Sequence, residues 1–500
     1  MTTPPHIAFV TQALLAAAFL RIPAFTTSNS LQQPLLDRAM STSSTHWNVV
    51  SAWSKAGIGT NIVLELKQPQ LPQNQKCNNE KTSKKPKSMP RVAFDIGATP
   101  CFDDAIPAKF VFVSHGHVDH IGGLFSHARA HSVAFGGAAP TYFVPAELLP
   151  QLEQCREAMS LLDSANYATT TLVSTLKSNP SHENKDESGR KESLMNMNLV
   201  PVKPGDEFPL QGIHSGSKTS FFIRAFRADH ANHPALGYLL CSRTSSSGLK
   251  PEYRHLDKDS IRNLAKSGVK IQNDPEEKVE VAYTGDTCAD GLIVPDPVVM
   301  NSDTAAVSGD GVSMSKQKSE EYIRQIFRAE LIFCELTFLD YEEKDCDGKM
   351  AKDRGHLHIC ELERIFSNFA ALDCSETITA CVVDEPTTSV DISKEFGQGH
   401  APSIIFFHLS GRYGPAKYAL DMISAGIPHY LKNRCLVAIC SMLSKEEKAH
   451  RDSFVQLIRP NGCIPISDYL DWKNKCDSLV NEARTVRRTG HVCNGLLGAG

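Results

Sequence analysis

The sequence lacks the features that would assign it at once to a simple class. Its 15 cysteines are scattered, odd in number and include no Cys-x-x-Cys pair, so we expect reduced thiols in an intracellular compartment and not a disulfide framework. The net charge is only −4, which excludes a general attraction to nucleic acid and leaves any RNA binding to local patches. No stretch is a convincing membrane span, and no internal repeat is present.

Acidic residues are missing from residues 1–36, and residues 7–20 are mostly apolar. This apolar run is too short for a membrane span. We therefore predict that residues 1–46 are a targeting peptide for a mitochondrion or plastid, or a disordered N-terminus. A secretory-type signal stays open, and Met40 offers an internal start for a cytoplasmic or nuclear form.

Apolar runs typical of strands alternate along the sequence with apolar spacing typical of helices. Short apolar runs predict strands at residues 92–94, 110–113, 221–226, 279–283, 331–334 and 404–407. Helical spacing of apolar residues predicts helices within 145–162, 322–327 and 359–369. Strands that alternate with helices favour a layered α/β domain over an all-β barrel.

Hydrophilic stretches near residues 68–88, 174–192 and 301–319 interrupt this alternation. Segments with so few apolar residues cannot bury enough surface to order themselves, so we predict loops outside the core. One enlarged domain over residues 47–490 is therefore favoured over three small ones, with a tail at 491–500.

The densest group of potential metal ligands is His-Gly-His-Val-Asp-His at residues 115–120. Imidazole nitrogens and carboxylate oxygens are the ligands that zinc and similar metals bind. The group follows a predicted strand, so His115 and His117 share a face if the backbone stays extended. Asp119 and His120 come after a turn and point elsewhere, which favours two adjacent ions over one.

Three other predicted strands also deliver a potential ligand at their C-terminal ends, where α/β folds tend to build sites. These ligands are His230, which follows Asp229, together with Asp286 and His408. A single such residue is more often structural than functional. Four strand ends in one chain, one of them carrying the dense cluster, predict a metal centre.

The pattern at residues 115–120 resembles the defining motif of the metallo-β-lactamase superfamily. Further motifs resemble those of the ribonuclease Z family in its short form, the tRNA 3′-processing endonucleases; they lie at residues 91–97, 283–287, 355–359 and 407–413. Residues 251–271 also resemble the family segment that precedes its Gly-Asp-Thr motif. The resemblance runs from about Trp47 to about Arg488, interrupted by the insertions, and implies a four-layer αββα metallo-β-lactamase sandwich.

The resemblance also implies two Zn²⁺ ions per chain. The ligands of the first ion would be His115, His117 and His230. The ligands of the second would be Asp119, His120 and His408. The carboxylate that bridges them would be Asp286. Two metal ions roughly 3.5–4 Å apart can stabilise both the attacking and the leaving oxygen of a phosphodiester.

Three residues are implied in catalysis. Asp119 would also be the general base, and His356 would donate a proton to the leaving oxygen of the 3′ trailer. Glu335 is a candidate to orient His356. His358 shares the Gly-His-Leu-His motif with His356, but the resemblance favours His356 as the catalytic histidine.

The third ligand of the first ion has a competitor. His233 lies close to His230 in the sequence, and the interval from His230 to Gly237 is one residue longer than the family pattern. We predict His230. Asp95, directly after a strand, is predicted to be a structural or supporting acid and not a ligand.

Other polar residues receive weaker predictions. His127 and His131 are predicted to be ordinary surface or helix residues. Arg412, beside His408, is the best candidate for contact with the scissile region. The family's tRNA-binding arm would fall within residues 155–200, which carry both signs of charge and no clear arm signature. Other basic residues could meet phosphates or belong to solvated linkers; they are Lys81, Lys84, Lys85, Lys87, Arg484, Arg487 and Arg488.

The resemblance implies a zinc-dependent endoribonuclease. It would cleave the 3′ trailer from precursor tRNA after the discriminator nucleotide and leave a 3′-hydroxyl. A homodimer is expected from the short-form resemblance, and no membrane association is expected. The alternatives are a hydrolase of the same superfamily acting on a small phosphodiester, thioester or lactone, and a non-catalytic RNA-binding relic.

Overall fold

The computed structural model describes residues 45–67, 89–163, 195–215, 218–245, 248–294, 310–340, 348–368, 403–414, 416–443 and 463–468. The predicted targeting segment up to residue 44, the stretches at 68–88 and 174–192, and the tail lie outside the described residues. So do most of the predicted arm and the basic residues at 81–87 and 484–488. Residues Ser44–Gly500 form one compact unit.

Six strands form the first sheet, in the order β1 to β6. Their bounds are Trp47–Lys55 (β1), Gly59–Leu66 (β2), Arg91–Phe94 (β3), Ala108–Phe112 (β4), Thr141–Pro145 (β5) and Asn198–Val202 (β6). Strands β1 to β3 pair antiparallel, and β3 to β6 pair parallel.

Eight strands form the second sheet, in the order β14 to β7. Their bounds are Glu207–Ser215 (β7), Thr219–Arg227 (β8), Leu236–Thr244 (β9), Glu276–Tyr283 (β10), Leu331–Glu335 (β11), Ser403–Phe407 (β12), Cys435–Ala438 (β13) and Cys463–Pro465 (β14). Strands β10 to β13 are parallel, and the outer pairs are antiparallel.

The helices lie between these strands in the chain. Their bounds are Phe102–Ala105 (α1), Val118–Ile121 (α2), Leu124–Ala134 (α3), Leu149–Asp163 (α4), Lys258–Lys266 (α5), Asp310–Gln325 (α6), Lys349–Asp353 (α7) and Ala416–Gly426 (α8). No helix in the part of the chain described is both long and apolar enough to cross a membrane.

Three apolar clusters divide the unit into four layers. The inner faces of the two sheets meet in an aromatic core, where Phe94 stacks on Tyr283 at 4.9 Å between ring centroids. Leu124 of α3 and Leu152 of α4 pack on the outer face of the first sheet. Ile423 of α8 belongs to the cluster that covers the outer face of the second sheet. The predicted αββα sandwich is confirmed.

The predicted strands are all present, each within two or three residues of its predicted bounds. The helix predicted from residue 145 begins later, because Pro145 ends β5 and a 3₁₀ turn precedes α4. The loop predicted near residues 301–319 is wrong from residue 310, where α6 begins. Tertiary contacts hold this helix: Ser319 Oγ accepts a hydrogen bond from the backbone N–H of Arg227, and Tyr322 and Ile323 are buried.

The strand directions explain why distant residues can share one edge. Strands β10, β11 and β12 are parallel, so their C-terminal ends meet at the same edge of the second sheet. Strand β8 is antiparallel to β9, which is antiparallel to β10, so β8 runs in the same direction as β10. Each of these four strands ends at or just before a residue that the sequence singled out.

Candidate metal centre

The first group of histidines forms where β4 ends. Ser114 and His115 continue from β4, and His117 is the residue before the first turn of α2. His115 Nε2 lies 3.0 Å from His117 Nδ1, and His230 Nε2 lies 3.3 Å from the same His117 nitrogen. The three ring nitrogens therefore converge on one point, and His115 and His230 are buried.

The second group joins the two sheets. His408 follows β12, and its Nε2 atom lies 3.2 Å from His120 Nε2 and 3.4 Å from Asp119 Oδ2. His408 has a φ of 66°, a left-handed backbone conformation that non-glycine residues seldom adopt. Such strain at a strand end persists where the surrounding structure imposes it, which is common at functional sites.

Asp286 lies between the two groups. Its Oδ2 atom is 3.2 Å from His120 Nε2, 3.4 Å from His408 Nε2 and 3.8 Å from His115 Nε2. Its Oδ1 atom is buried without a hydrogen-bond partner among the described residues. A buried carboxylate oxygen without a partner is costly, and a cation at this position would remove that cost.

The separations of these ligand atoms fit a first-row metal ion. Two ligands that each lie about 2.0–2.1 Å from a tetrahedral zinc ion are roughly 3.3 Å apart. The nitrogen and oxygen atoms of the two groups lie 3.0–3.4 Å from their nearest partners within each group. The residues present therefore have the types and spacing that metal binding requires.

The charges of the site also call for cations. Asp95, Asp286 and Glu335 are buried, and Asp119 is only 12% exposed. None of these four carboxylates forms an ion pair with a lysine or arginine in the described ranges. Imidazoles are their only cationic partners there. Buried carboxylates without such neutralisation are typical of metal sites.

The pKa values of the first group favour neutral imidazole. Burial lowers the pKa of His115 well below its ordinary value and lowers the pKa of His230 to about 4. Both rings are therefore neutral near pH 7, which is the form that coordinates a metal.

Around Asp286, neighbouring charges and not burial determine the pKa values. Burial works to raise the pKa of Asp286, but the neighbouring His120 and His408 outweigh it and hold that pKa well below the ordinary range. Burial works to lower the pKa of His120, but Asp286 and Asp95 outweigh it and raise that pKa well above the ordinary value. The same negative potential that favours a proton here also favours a metal cation.

Asp95 contacts the candidate ligand His120 and is not itself in a ligand group, in agreement with the prediction of a supporting acid. Its carboxylate lies 2.7 Å from His120 Nδ1 and accepts hydrogen bonds from the backbone N–H and side-chain hydroxyl of Ser114. The hydroxyl of Tyr283 donates a further hydrogen bond. These contacts fix the His120 ring so that Nε2 faces the cluster.

His356 and Glu335 lie beside the metal ligands. His356 Nδ1 is 3.0 Å from Glu335 Oε1 and 3.9 Å from Asp286 Oδ2. The other oxygen of Glu335 accepts from the backbone N–H of Leu357 at 2.7 Å. Burial works to lower the pKa of His356, but the hydrogen bond and charge of Glu335 outweigh it and raise that pKa. The pair is placed to hold a proton near the cluster.

The histidines that competed for these positions lie outside the clusters. His233 is exposed, and its Nε2 atom reaches only His117, at 3.3 Å. His358 Nε2 donates to the carbonyl of Asp340, and its Nδ1 atom accepts from the backbone N–H of Cys360. His230, and not His233, therefore belongs to a group of converging ligand atoms, and so does His356, and not His358.

The remaining predicted residues have structural contacts. His127 and His131 lie on α3 and are buried, with hydrogen bonds to the carbonyls of Ala105 and Ile106. Arg412 forms an ion pair with Asp340 and lies over the Phe338 ring. Contact of Arg412 with the scissile region stays a prediction.

Two residues that contact the site, Thr337 and Gly57, were not predicted. Thr337 Oγ1 lies 2.9 Å from His408 Nδ1 and also donates to Glu335, so it couples a ligand to the His356 pair. The backbone N–H of Gly57 donates to Asp119 Oδ2 at 2.7 Å. Thr337 follows β11, so the strand-end rule could have identified it. A backbone donor in a distant turn gives no sequence signal.

This cluster at one edge of an αββα sandwich places the chain in the metallo-β-lactamase-fold class. No family model matches it. It is similar to tRNase Z TRZ1 of Arabidopsis thaliana, with 29% identity over 54% of this chain and 72% of that protein. It is also similar to the same plant's chloroplastic tRNase Z TRZ2, with 26% identity over 54% of this chain but only 57% of TRZ2. The chain is therefore similar to proteins named tRNase Z, and the resemblance predicted from its motifs is confirmed.

Among solved structures, human tRNase Z, short form, aligns with 73% of this chain and 93% of its own. The sequence identity is 13% and the TM-score is 0.31.

Proposed function

We propose that this protein is a zinc-dependent endoribonuclease that cleaves the 3′ trailer from precursor tRNA after the discriminator nucleotide. The observation that carries the proposal is the convergence of seven candidate ligands with the His356–Glu335 pair at one edge of the sandwich. Kinship with proteins named tRNase Z supports the substrate. The alternative, hydrolysis of a small phosphodiester, thioester or lactone, would use the same cluster but is not favoured by that kinship.

In this proposal each chain holds two zinc ions. The three histidines of the first group would bind one ion. Asp119, His120 and His408 would bind the other. Asp286 would bridge them, since its Oδ2 atom lies within 3.8 Å of ligands from both groups. An Asn or Gln would not serve as well, because a carboxylate can offer charge and an oxygen to each cation.

The bound metal pair would supply an ionised solvent molecule at neutral pH and stabilise charge on the phosphodiester. The chain's own residues would then handle the protons. Asp119 would accept the proton of the attacking solvent, with its carboxylate held in place by the Gly57 N–H. Asp119 is also a proposed ligand, so it both positions and activates the nucleophile.

His356 would donate a proton to the leaving oxygen of the trailer. Glu335 keeps its Nδ1 side occupied, so the opposite ring edge is the one available to substrate. Gly355 allows this placement: it has a φ of 71°, and a Cβ atom there would lie 2.3 Å from the backbone nitrogen of Ala231. Its carbonyl also accepts from His230 Nδ1 at 2.8 Å, which ties His356 to the first group.

A cleavage assay with purified protein tests the proposal. We expect release of the trailer from a labelled precursor tRNA transcript, loss of that release with a chelator, and recovery on addition of zinc. Metal analysis should give about two zinc ions per chain, as a dinuclear site requires. Absence of trailer release by the zinc-loaded protein, with hydrolysis of a thioester or lactone instead, would contradict the proposal.

Precursor tRNA is accordingly the proposed partner. A homodimer is proposed only from the short-form resemblance, and the mass of the protein in solution tests it.

A mitochondrion or plastid is the proposed compartment. The composition of residues 1–46 supports it, and the chloroplastic location in the name of TRZ2 supports a plastid in particular. We expect a fusion of residues 1–46 to a fluorescent protein to enter an organelle. Uniform cytoplasmic and nuclear fluorescence would instead favour the start at Met40.

A further inference from the structure

Two cationic side chains stand next to the candidate metal centre without an acidic partner. They are Lys55, at the end of β1, and Arg354, directly after α7. Neither forms an ion pair with any carboxylate of the ranges that the structure describes. Arg412, which the sequence favoured for substrate contact, is paired with Asp340 and so is a weaker candidate.

Lys55 belongs to a turn that touches the second ligand group. The next residue, Ala56, donates its N–H to the carbonyl of Leu409, which adjoins His408. Gly57 donates to Asp119 Oδ2 at 2.7 Å. The turn therefore contacts Asp119, a proposed ligand of the second ion, and Leu409, the residue after the proposed ligand His408.

The Lys55 side chain extends along the loop that follows His408. A Cβ atom placed on Gly411 would lie 2.8 Å from Lys55 Cε and 3.6 Å from Lys55 Nζ. The absence of a side chain at Gly411 thus leaves room for the lysine. Its ammonium group therefore lies beside the loop that follows His408, and it forms no ion pair with a carboxylate of the described residues.

Arg354 lies in the chain beside His356 and close to the first ligand group. It precedes Gly355, whose carbonyl accepts from His230, and is two residues from His356. Its exposed guanidinium lies 6.0 Å from the centre of the Phe338 ring, and that ring lies 6.0 Å from the ring of His356. An arginine held over an aromatic ring keeps its donors free for a phosphate.

We propose that Lys55 and Arg354 bind the backbone phosphates on either side of the scissile phosphate of the RNA. The inference rests on the proposed function, since it requires a polynucleotide substrate. A polynucleotide carries a charge on every linkage, so a cation near each ligand group would align the chain across the metal centre. Lys55 would act beside the second ligand group and Arg354 beside His356. Both would be positioning residues with no part in proton transfer.

The variants Lys55→Met and Arg354→Met test this, with Lys55→Arg and Arg354→Lys as charge-preserving partners. Lys109→Met is the matched control: Lys109 is exposed and is the second residue of β4, whereas His115 follows the opposite end of that strand. We expect each Met variant to raise KM for precursor tRNA about tenfold, with a smaller change in kcat. The slope of log(kcat/KM) against log salt concentration should fall by about 0.7–0.9 for each lost phosphate contact. The charge-preserving variants and the control should stay near wild type.

A second substrate separates positioning from damage to the site. Bis(p-nitrophenyl) phosphate has no neighbouring phosphates, so the Met variants should hydrolyse it at the wild-type rate. An equal loss on both substrates would overturn the inference, as would a wild-type KM and salt slope on precursor tRNA. If the wild-type protein hydrolyses the small diester but not precursor tRNA, the proposed function itself is wrong, and the inference falls with it.

Discussion

Replacement of Asp119 by alanine is expected to lower the rate of precursor tRNA cleavage by at least about 10³-fold. The substitution removes a proposed ligand oxygen, which lies 3.4 Å from His408 Nε2, and the proposed general base in one step. Loss of a general base alone typically costs about 10²–10⁴-fold. Single-turnover cleavage of a labelled transcript measures the effect.

The control for this variant is Asp103→Ala. Asp103 is an exposed acid in the first turn of α1, a helix that contributes no candidate ligand. It should cleave at the wild-type rate. Far-UV circular dichroism and thermal unfolding should show that the Asp119 variant is folded. Substantial cleavage by folded Asp119→Ala protein would refute the proposed mechanism.

The ends of the strands were the most predictable part of the site. A buried strand has a short, apolar sequence signature, and the polar residue that follows it stands out. For this reason Asp95, His115, Asp286 and His408 could each be located from the sequence. Within each sheet their convergence followed from one physical rule, that parallel strands bring their C-terminal ends to the same edge. The packing of the two sheets then brings the two pairs of residues together.

The parts of the site that could not be predicted depend on contacts between distant segments. Tyr283 and Ser114 donate hydrogen bonds to Asp95, and a further hydrogen bond joins Thr337 and His408. The local sequence around each of these residues gives no indication of its partner. The Gly57 N–H is a backbone group, so its contact with Asp119 leaves no side-chain pattern at all.

Some strands and helices were not predicted because tertiary packing, and not the local sequence, determines their structure. Strand β7 contains many polar residues because only part of it is covered, which obscures the apolar run used to find strands. Helix α6 begins in a segment with polar composition, yet Tyr322 and Ile323 near its end pack on the second sheet. Local composition measures the tendency of a segment to order alone, and tertiary packing overrides it here.

Alanine substitutions at His230 and His233 are expected to differ strongly in their effect on metal affinity. We expect His230→Ala to weaken binding of the first metal ion at least about 100-fold, because removal of even a group that supports a ligand costs about 10–100-fold. Cleavage should fall with it. His233→Ala should bind metal and cleave RNA nearly as the wild type does, because His233 is exposed and its ring belongs to none of the groups of converging ligand atoms.

Competition with a chromogenic zinc chelator measures the affinity of each variant directly, and activity at saturating zinc separates weak binding from loss of catalysis. The two substitutions remove the same group from positions three residues apart, so each is the control for the other. The positions differ in one respect that matters: His230 Nε2 faces His117 Nδ1 and its own Nδ1 is fixed by the Gly355 carbonyl, which orients it as a ligand. If His233→Ala released the metal while His230→Ala retained it, the one-residue insertion before Gly237 would have shifted the ligand, and the assignment of the first ion would be wrong.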